Sequence, residues 1–342
     1  MTDEAKRPTV LGVAVVLFAL VGFSCPWLDR SFHTPLTRNK QDQQVVVIPK
    51  GLGACQVASL LEERGLIRRA STFYLLALLK GKQGHLSAGE YRLSPGMTPA
   101  EILETLSQGK VLLHSVTLPE GITVQDVARL LEGRGLARSA RILALSQDRG
   151  VLASWGIQAD SLEGYLFPET YYFPRGVPET EILRTMVRTF ARRFSPADGE
   201  RARQLGLSWH QAVTLASLIE KEAKEPAERS LISAVYHNRL KQGMRLQCDP
   251  TVIYALGERF VGNLTRQDLT MDSPYNTYLY PGLPPGPICN PGKESLRAAL
   301  YPAQTDALYF VSRNNGWHQF STTLEEHNRA VLSYQPKRGL AP

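Results

Sequence analysis

The pattern of apolar and polar positions divides the chain into one unbroken apolar run, a stretch of short strand and helix periods, and a longer, mainly helical half. Val10 to Leu28 holds nineteen residues without a charge, against the roughly 20 a helix needs to cross a bilayer. A single membrane-spanning helix is therefore expected at 10–28, behind a short tail at 1–9. Gly22-Phe23-Ser24 offers a small-x-small triplet for a signal peptidase, but Pro26 follows it and Trp27 and Leu28 prolong the run, so an uncleaved anchor is the better reading. Phe23 is also too bulky for the residue expected two places before a lipidated cysteine at Cys25. Lys6 and Arg7 on one side face Arg30, Arg38 and Lys40 on the other, so charge does not set the orientation. Nearly the whole chain follows the span. In a bacterial inner membrane this bulk is expected in the periplasm.

Behind a linker at 29–44, the next stretch repeats itself. Displacing the chain by seventy residues places Pro49, Gly51, Val57, Ala58, Leu60, Leu61, Glu62, Arg64, Gly65, Leu66 and Arg68 on identical residues from Pro119 to Arg138. Eleven identities in twenty positions mark a duplication. Each copy reads as a short strand, a Pro-x-Gly turn and a helix with a Val, Ala, Leu-Leu stripe ended by glycine. A second pairing, displaced by eighty, sets Tyr91, Gly96, Glu101, Ile102, Leu103 and Thr105 on Tyr171, Gly176, Glu181, Ile182, Leu183 and Thr185, so the unit is longer than one helix. Small strand-and-helix units of this kind suit glycan-binding modules like LysM; a spacer or packing role is the plainer alternative.

In the second half, Ser208 and Gln211 form a capping-box start for a helix running to the edge of Pro226. Trp209, Val213, Ala216 and Glu220 share one face of it, so Glu220 projects from an apolar surface. Burial there, beside the negative end of the helix dipole, would favour its protonated form and suit a general acid. Glu222 is the rival. It falls between Leu215 and Leu218, and because this helix is apolar almost all round, the wheel prefers neither carboxylate. From Met244 to Asp249 the chain alternates as a half-buried strand, with Arg245, Gln247 and Asp249 on the face that could line a cleft for a hydroxyl-rich ligand. Asp249-Pro250 also reads as a helix N-cap followed by a first-turn proline. Tyr275 to Pro291 is a long proline-rich loop whose Asn276, Thr277, Tyr278 and Tyr280 offer donors and rings for sugar. Asn315-Gly316, between two apolar runs, signals a hairpin with His318 on its second strand.

Composition removes several classes. The apolar fraction of 43% supports real cores, and no tract is degenerate. Four scattered cysteines and seven scattered histidines give neither a disulfide scaffold nor zinc-ligand spacing, so no metal and no cofactor is expected. The net charge of +7 is mild for 342 residues and is not gathered into a block, so no nucleic-acid partner is indicated.

LASLIEKEA at 215–223, ER at 228–229, NRL at 238–240, MRLQCDPTVIYALG at 244–257, YNTY at 275–278, GLPPGPICNPG at 282–292 and the closing HQF and EEHN together resemble the YceG (MltG) family of endolytic murein transglycosylases. The resemblance covers the whole chain. It implies an α+β protein: a transmembrane helix, a LysM-like α/β repeat region at 45–160, and a mixed α+β catalytic domain at 161–342. The implied enzyme is a membrane-anchored lyase, facing the periplasm and working without a cofactor. It cuts the MurNAc-GlcNAc bond of nascent peptidoglycan, leaving 1,6-anhydro-MurNAc ends, with peptidoglycan synthases as candidate partners. The resemblance places the catalytic acid at Glu220, the first Glu of Glu-Lys-Glu. That group would protonate the glycosidic oxygen and then accept the proton of the sugar's own 6-hydroxyl. Gln247, Asp249, Asn276 and Tyr278 are candidates for orienting the glycan. Cys248 and Cys289 stand where small residues are expected, which suggests a disulfide between them in an oxidising compartment. The competing readings are a tethered glycan-binding scaffold without catalysis and a muramidase that uses water.

Overall fold

The computed structural model describes residues 29–335, so the span expected at 10–28 lies outside the described residues. Among those described, no helix is long and apolar enough to cross a membrane. The chain divides into two compact units. The first runs to His114 and takes in Pro174–Gly176; the second comprises Ser115–Phe173 and the chain from Val177 onward.

The first unit is one copy of the repeat. Strand β1 (Gln44–Ile48) pairs antiparallel with β2 (Gly89–Leu93) in the register Val46↔Tyr91. Between them lie helices α1 (Ala54–Glu63) and α2 (Ala70–Leu79), and α3 (Pro99–Ser107) follows. Val46 and Ile48 are buried while Val45 and Val47 are exposed, the alternation of a sheet with one wet face. The inward residues meet the α1 stripe of Val57, Ala58 and Leu61, together with Phe73, Tyr91, Ile102 and Leu106, in a single core. Thr98 caps α3, accepting from the Glu101 amide while the Glu101 carboxylate accepts from the Thr98 amide.

The second copy repeats this order: β3 (His114–Thr117), α4 (Val124–Gly133), α5 (Ser139–Ser146), then β4 (Thr170–Phe173) and α7 (Glu179–Arg193). β3 pairs with β4 as β1 pairs with β2. Ahead of β4 this copy holds an extra short helix, α6 (Arg149–Ser154), which accounts for the displacement growing from seventy to eighty. The sequence division at 160/161 groups the two copies together. In the structure the second copy's stripe of Val127, Ala128 and Leu131 instead joins the core of the helical half, with Val213, Leu215, Leu218 and Ile232.

That half is built around α9 (Trp209–Glu222), which follows α8 (Pro196–Gln204). Every residue from Ala212 to Ile219 is buried, as an all-round apolar helix requires. Ser208 caps it through the capping box with Gln211. Around it lie α10 (Arg229–Lys241), α11 (Asp249–Leu256) and α12 (Lys293–Leu300). The hairpin forms as expected, β5 (Tyr309–Ser312) pairing with β6 (His318–Ser321), and α13 (Leu324–Tyr334) closes the described chain. The stretch 244–248 belongs to no sheet; its alternation survives only as burial, with Leu246 and Cys248 inside and Arg245 and Gln247 outside.

Candidate active site

The last turn of α9 carries both glutamates to opposite fates. Glu222, the final helical residue, opens into a cleft of about 810 Å³ whose walls include Gln247, Asp249, Tyr278, Lys224, Arg239 and His318. Its Oε1 accepts from the Tyr236 hydroxyl at 3.2 Å. Burial raises its pKa above the ordinary carboxylate range, and the negative charge of Asp249 adds to this; hydrogen bonds from Cys248 and Tyr236 work the other way. That shift is in the direction a proton donor needs.

Glu220 is not among that cleft's walls. Its carboxylate accepts from the Gly292 amide at 2.9 Å and lies 3.7 Å from the Arg229 guanidinium. Both side chains are nearly covered, 7% exposed for Glu220 and 14% for Arg229. The expected apolar surround is absent, replaced by a cation, a backbone donor and the Glu120 carboxylate, itself 3.8 Å from Arg229. Burial and the charge of Glu220 push the Glu120 carboxyl up.

The other candidates converge through a loop contact. Thr277 accepts from the Gln247 amide with its carbonyl, at 3.1 Å, and from the Cys248 amide with its hydroxyl, at 2.9 Å. The YNTY loop thus holds the LQCDPT segment. Gln247 has φ of +50°, a left-handed conformation that costs a non-glycine residue about 1 kcal/mol or more. Its side chain stands at the cleft wall nonetheless. Asp249 does not cap α11 as expected. It is the first helical residue, Cys248 is the N-cap without a side-chain bond, and Asp249 Oδ1 accepts from the Tyr278 hydroxyl. Burial, then that bond, pushes the Tyr278 phenol far up, so it remains a donor. Asn276 is fully buried and away from the cleft: its amide donates to Leu269 and Met271 carbonyls at 3.0 and 2.8 Å and its oxygen accepts from the Tyr278 amide. It shapes the loop and is placed to hold Tyr278, not a ligand. The anticipated disulfide is not formed. Cys248 and Cys289 are buried free thiols, Cys289 directed at the Ser217 carbonyl and Cys248 towards Glu222 and Tyr236.

Two buried carboxyls escaped sequence reasoning. Glu163 lies in the inserted segment before β4 and in no motif. It accepts from the first helical amide of α4, Val124, at 3.1 and 3.2 Å, and from Asn290 Nδ2 at 3.2 Å, and burial pushes its pKa up to about 8. Asn290 in turn accepts from the Leu166 amide and donates to the Ile122 carbonyl, fixing the strap that ends in Gly292. Glu228, visible only as part of the ER motif, is 3% exposed and is bound by His318. Among the described residues no cluster of three or more His, Cys, Asp or Glu is arranged to hold a metal ion.

A model of the YceG-like family matches residues 46–333. The endolytic murein transglycosylase of Bacillus subtilis (strain 168) is 34% identical over 323 residues, covering 89% of this chain and 88% of its own length. The protein of the same name from Streptococcus pneumoniae serotype 2 is 28% identical over 331 residues, 88% of this chain and 60% of the longer relative. A 2.6 Å crystal structure of a putative YceG-like protein from Listeria monocytogenes superposes with a TM-score of 0.59 at 36% identity, covering 84% of this chain and 99% of that one.

Proposed function

The chain belongs to the YceG-like family, and on that premise we propose that it is an endolytic murein transglycosylase, cutting MurNAc-GlcNAc bonds within peptidoglycan strands and leaving 1,6-anhydro-MurNAc ends. The observation that carries the chemistry is the enclosed Glu220 carboxyl at the end of α9, 7% exposed, 3.7 Å from the Arg229 guanidinium and hydrogen-bonded by the Gly292 amide. In this reading Glu220 protonates the glycosidic oxygen and then accepts the proton of the sugar's own 6-hydroxyl as that oxygen closes on the anomeric carbon, so no water is activated. Arg229 and the Gly292 amide stabilise the carboxylate between the two transfers. Glu222, on a cleft wall with its pKa raised by burial, is the rival acid. Asp249, restrained by Tyr278, and Gln247 orient the glycan from that wall.

The proposal extends to setting. The apolar run at 10–28 supports a single-pass anchor with the catalytic part in the periplasm, the β-α-α-β order of the first copy, kept in the second with α6 inserted, supports a LysM-like role in holding glycan, and synthases of nascent strands are the natural neighbours. Digestion of purified glycan strands, read by mass spectrometry, tests the activity. Anhydro ends are expected. Reducing ends would mark a muramidase that uses water, and binding without cleavage a scaffold.

A further inference from the structure

We propose that the first unit rests on an anionic phospholipid surface through the outer face of α2, with Arg30, Arg68 and Arg69 gripping a lipid phosphate. This rests on the anchor reading of the run at 10–28 and goes beyond it. Arg30 lies two positions after that run. With Arg68 and Arg69, just ahead of α2, it lines a cavity of about 370 Å³ that also takes in Thr72 and the buried Leu66 and Phe73. All three arginines are exposed, and none is paired with a carboxylate among the described residues. Asp29, beside Arg30, faces His33 at 3.5 Å, and Glu62 accepts from the Ala70 amide at 2.7 Å.

Helix α2 is apolar on its outer face as well as its inner one. Its ten residues hold no charge. Phe73, Leu76 and Ala77 enter the core, while Tyr74, Leu78 and Leu79 stand 39, 48 and 64% exposed. Tyr74 and Leu78 are four positions apart and so share a face. Arg69 is the N-cap and Lys80 the C-cap, so a cation frames each end. An uncharged helix face framed by Arg and Lys is the pattern of helices that lie in a membrane interface. The guanidiniums supply planar donors matched to a phosphate, and the leucines suit the acyl boundary beneath it.

The duplication supplies an internal control. Helix α5 fills the place of α2 in the second copy, and each starts from an N-cap arginine, Arg69 in one and Arg138 in the other. At the distances from Arg138 that Leu78 and Leu79 keep from Arg69, the second copy carries exposed Gln147 and Asp148. The repeat therefore folds with polar groups at these positions, and the two leucines answer to something outside the fold. The copy that carries them is the one nearest in sequence to the apolar run, within reach of the bilayer that run would enter. A single exposed leucine is ordinary, but a cluster on an uncharged helix beside three unpaired cations is a contact surface.

The test uses the full chain in nanodiscs of phosphatidylcholine, alone or with about one third phosphatidylglycerol, read by hydrogen exchange of the α2 amides with thermal melting as the check on folding. On the anionic discs α2 is expected to exchange about tenfold more slowly than on the zwitterionic ones, with α5 unchanged. Arg68→Gln combined with Arg69→Gln is expected to abolish the difference. Leu78→Gln combined with Leu79→Asp, which matches the second copy and so keeps the fold, is expected to abolish it as well. Equal exchange of wild-type α2 on the two discs, or a difference that survives in the folded variants, would overturn the proposal. So would the same slowing by inorganic phosphate on zwitterionic discs, which would mark a free-anion site, or slowing that follows protein concentration and not lipid, which would mark a second copy of this chain. Failure of the anchor reading is distinct: discs of neither composition would then retain the chain. Binding to phosphatidylglycerol vesicles would read the surface by itself, lost in both variants if the proposal holds and unchanged in them if it does not.

Discussion

Glu163 offers a quantitative test of how this core is held. Its carboxyl rises from an ordinary 4.5 to about 8 because burial disfavours the charge more than the Val124 amide compensates. A raised carboxyl value means that the folded state prefers the neutral acid. Its contribution to stability is whole below pH of about 4.5 and declines as pH rises towards about 8. At pH 7 the unfolded carboxyl is ionised and the folded one is not. At about 1.4 kcal/mol per pH unit, the penalty is about 3 kcal/mol, and it grows by roughly 3 kcal/mol between pH 5 and 8. Glu163→Gln removes the ionisation while keeping an oxygen for Val124 and Asn290. The assay is denaturant unfolding read by tryptophan fluorescence, since Trp155, Trp209 and Trp317 all lie in the second unit. The variant's stability relative to wild type should improve by roughly 3 kcal/mol from pH 5 to pH 8. A difference between the two proteins that stays flat within about 0.5 kcal/mol over that range would refute the reasoning, because it would mean that Glu163 ionises as it does in water.

Other consequences follow from single contacts. Gly164 has φ of +87°, and a Cβ there would stand 2.5 Å from Pro287 Cγ, so Gly164→Ala should cost about 3 kcal/mol or more by denaturant unfolding. Gly292→Ala meets only the movable end of half-exposed Glu120 and has an ordinary backbone, so the same measurement should give a cost under about 1 kcal/mol. Tyr236→Phe removes the hydroxyl that lowers the Glu222 pKa, so denaturant unfolding followed across pH should show that carboxyl ionising at higher pH than in wild type. Cys248 and Cys289 should resist a thiol reagent in the native protein and react on unfolding, with or without prior reduction, while exposed Cys55 reacts at once.

Local signals carried far in the sequence. The Ser208 capping box, the Asn315-Gly316 hairpin and the duplicated Val-Ala-Leu-Leu stripe each depend on residues a few positions apart, and each stands in the structure as read. The site was legible only as a set of motifs. Choosing between Glu220 and Glu222 depends on Arg229 and Gly292 for one and on Tyr236, Cys248 and Asp249 for the other, partners that periodicity on α9 does not reveal. Asn276 and Asp249 carried the right chemistry in the right segments, but their bonds to Leu269, Met271 and Tyr278 decide that one shapes the loop and the other faces the cleft. Glu163 left no sequence signal at all, since what makes it unusual is complete burial supplied by three distant segments.

The central claim is that the acid is Glu220, the first Glu of Glu-Lys-Glu, set beside Arg229. The most direct measurement compares Glu220→Gln with Glu222→Gln, counting anhydro ends released from purified glycan strands per folded enzyme. The account predicts loss of about 10²-fold or more for Glu220→Gln with strand binding retained. Glu222→Gln should retain far more of the wild-type turnover. Full release by a folded Glu220→Gln together with none by a folded Glu222→Gln would contradict the account and move the acid to the carboxyl on the cleft wall.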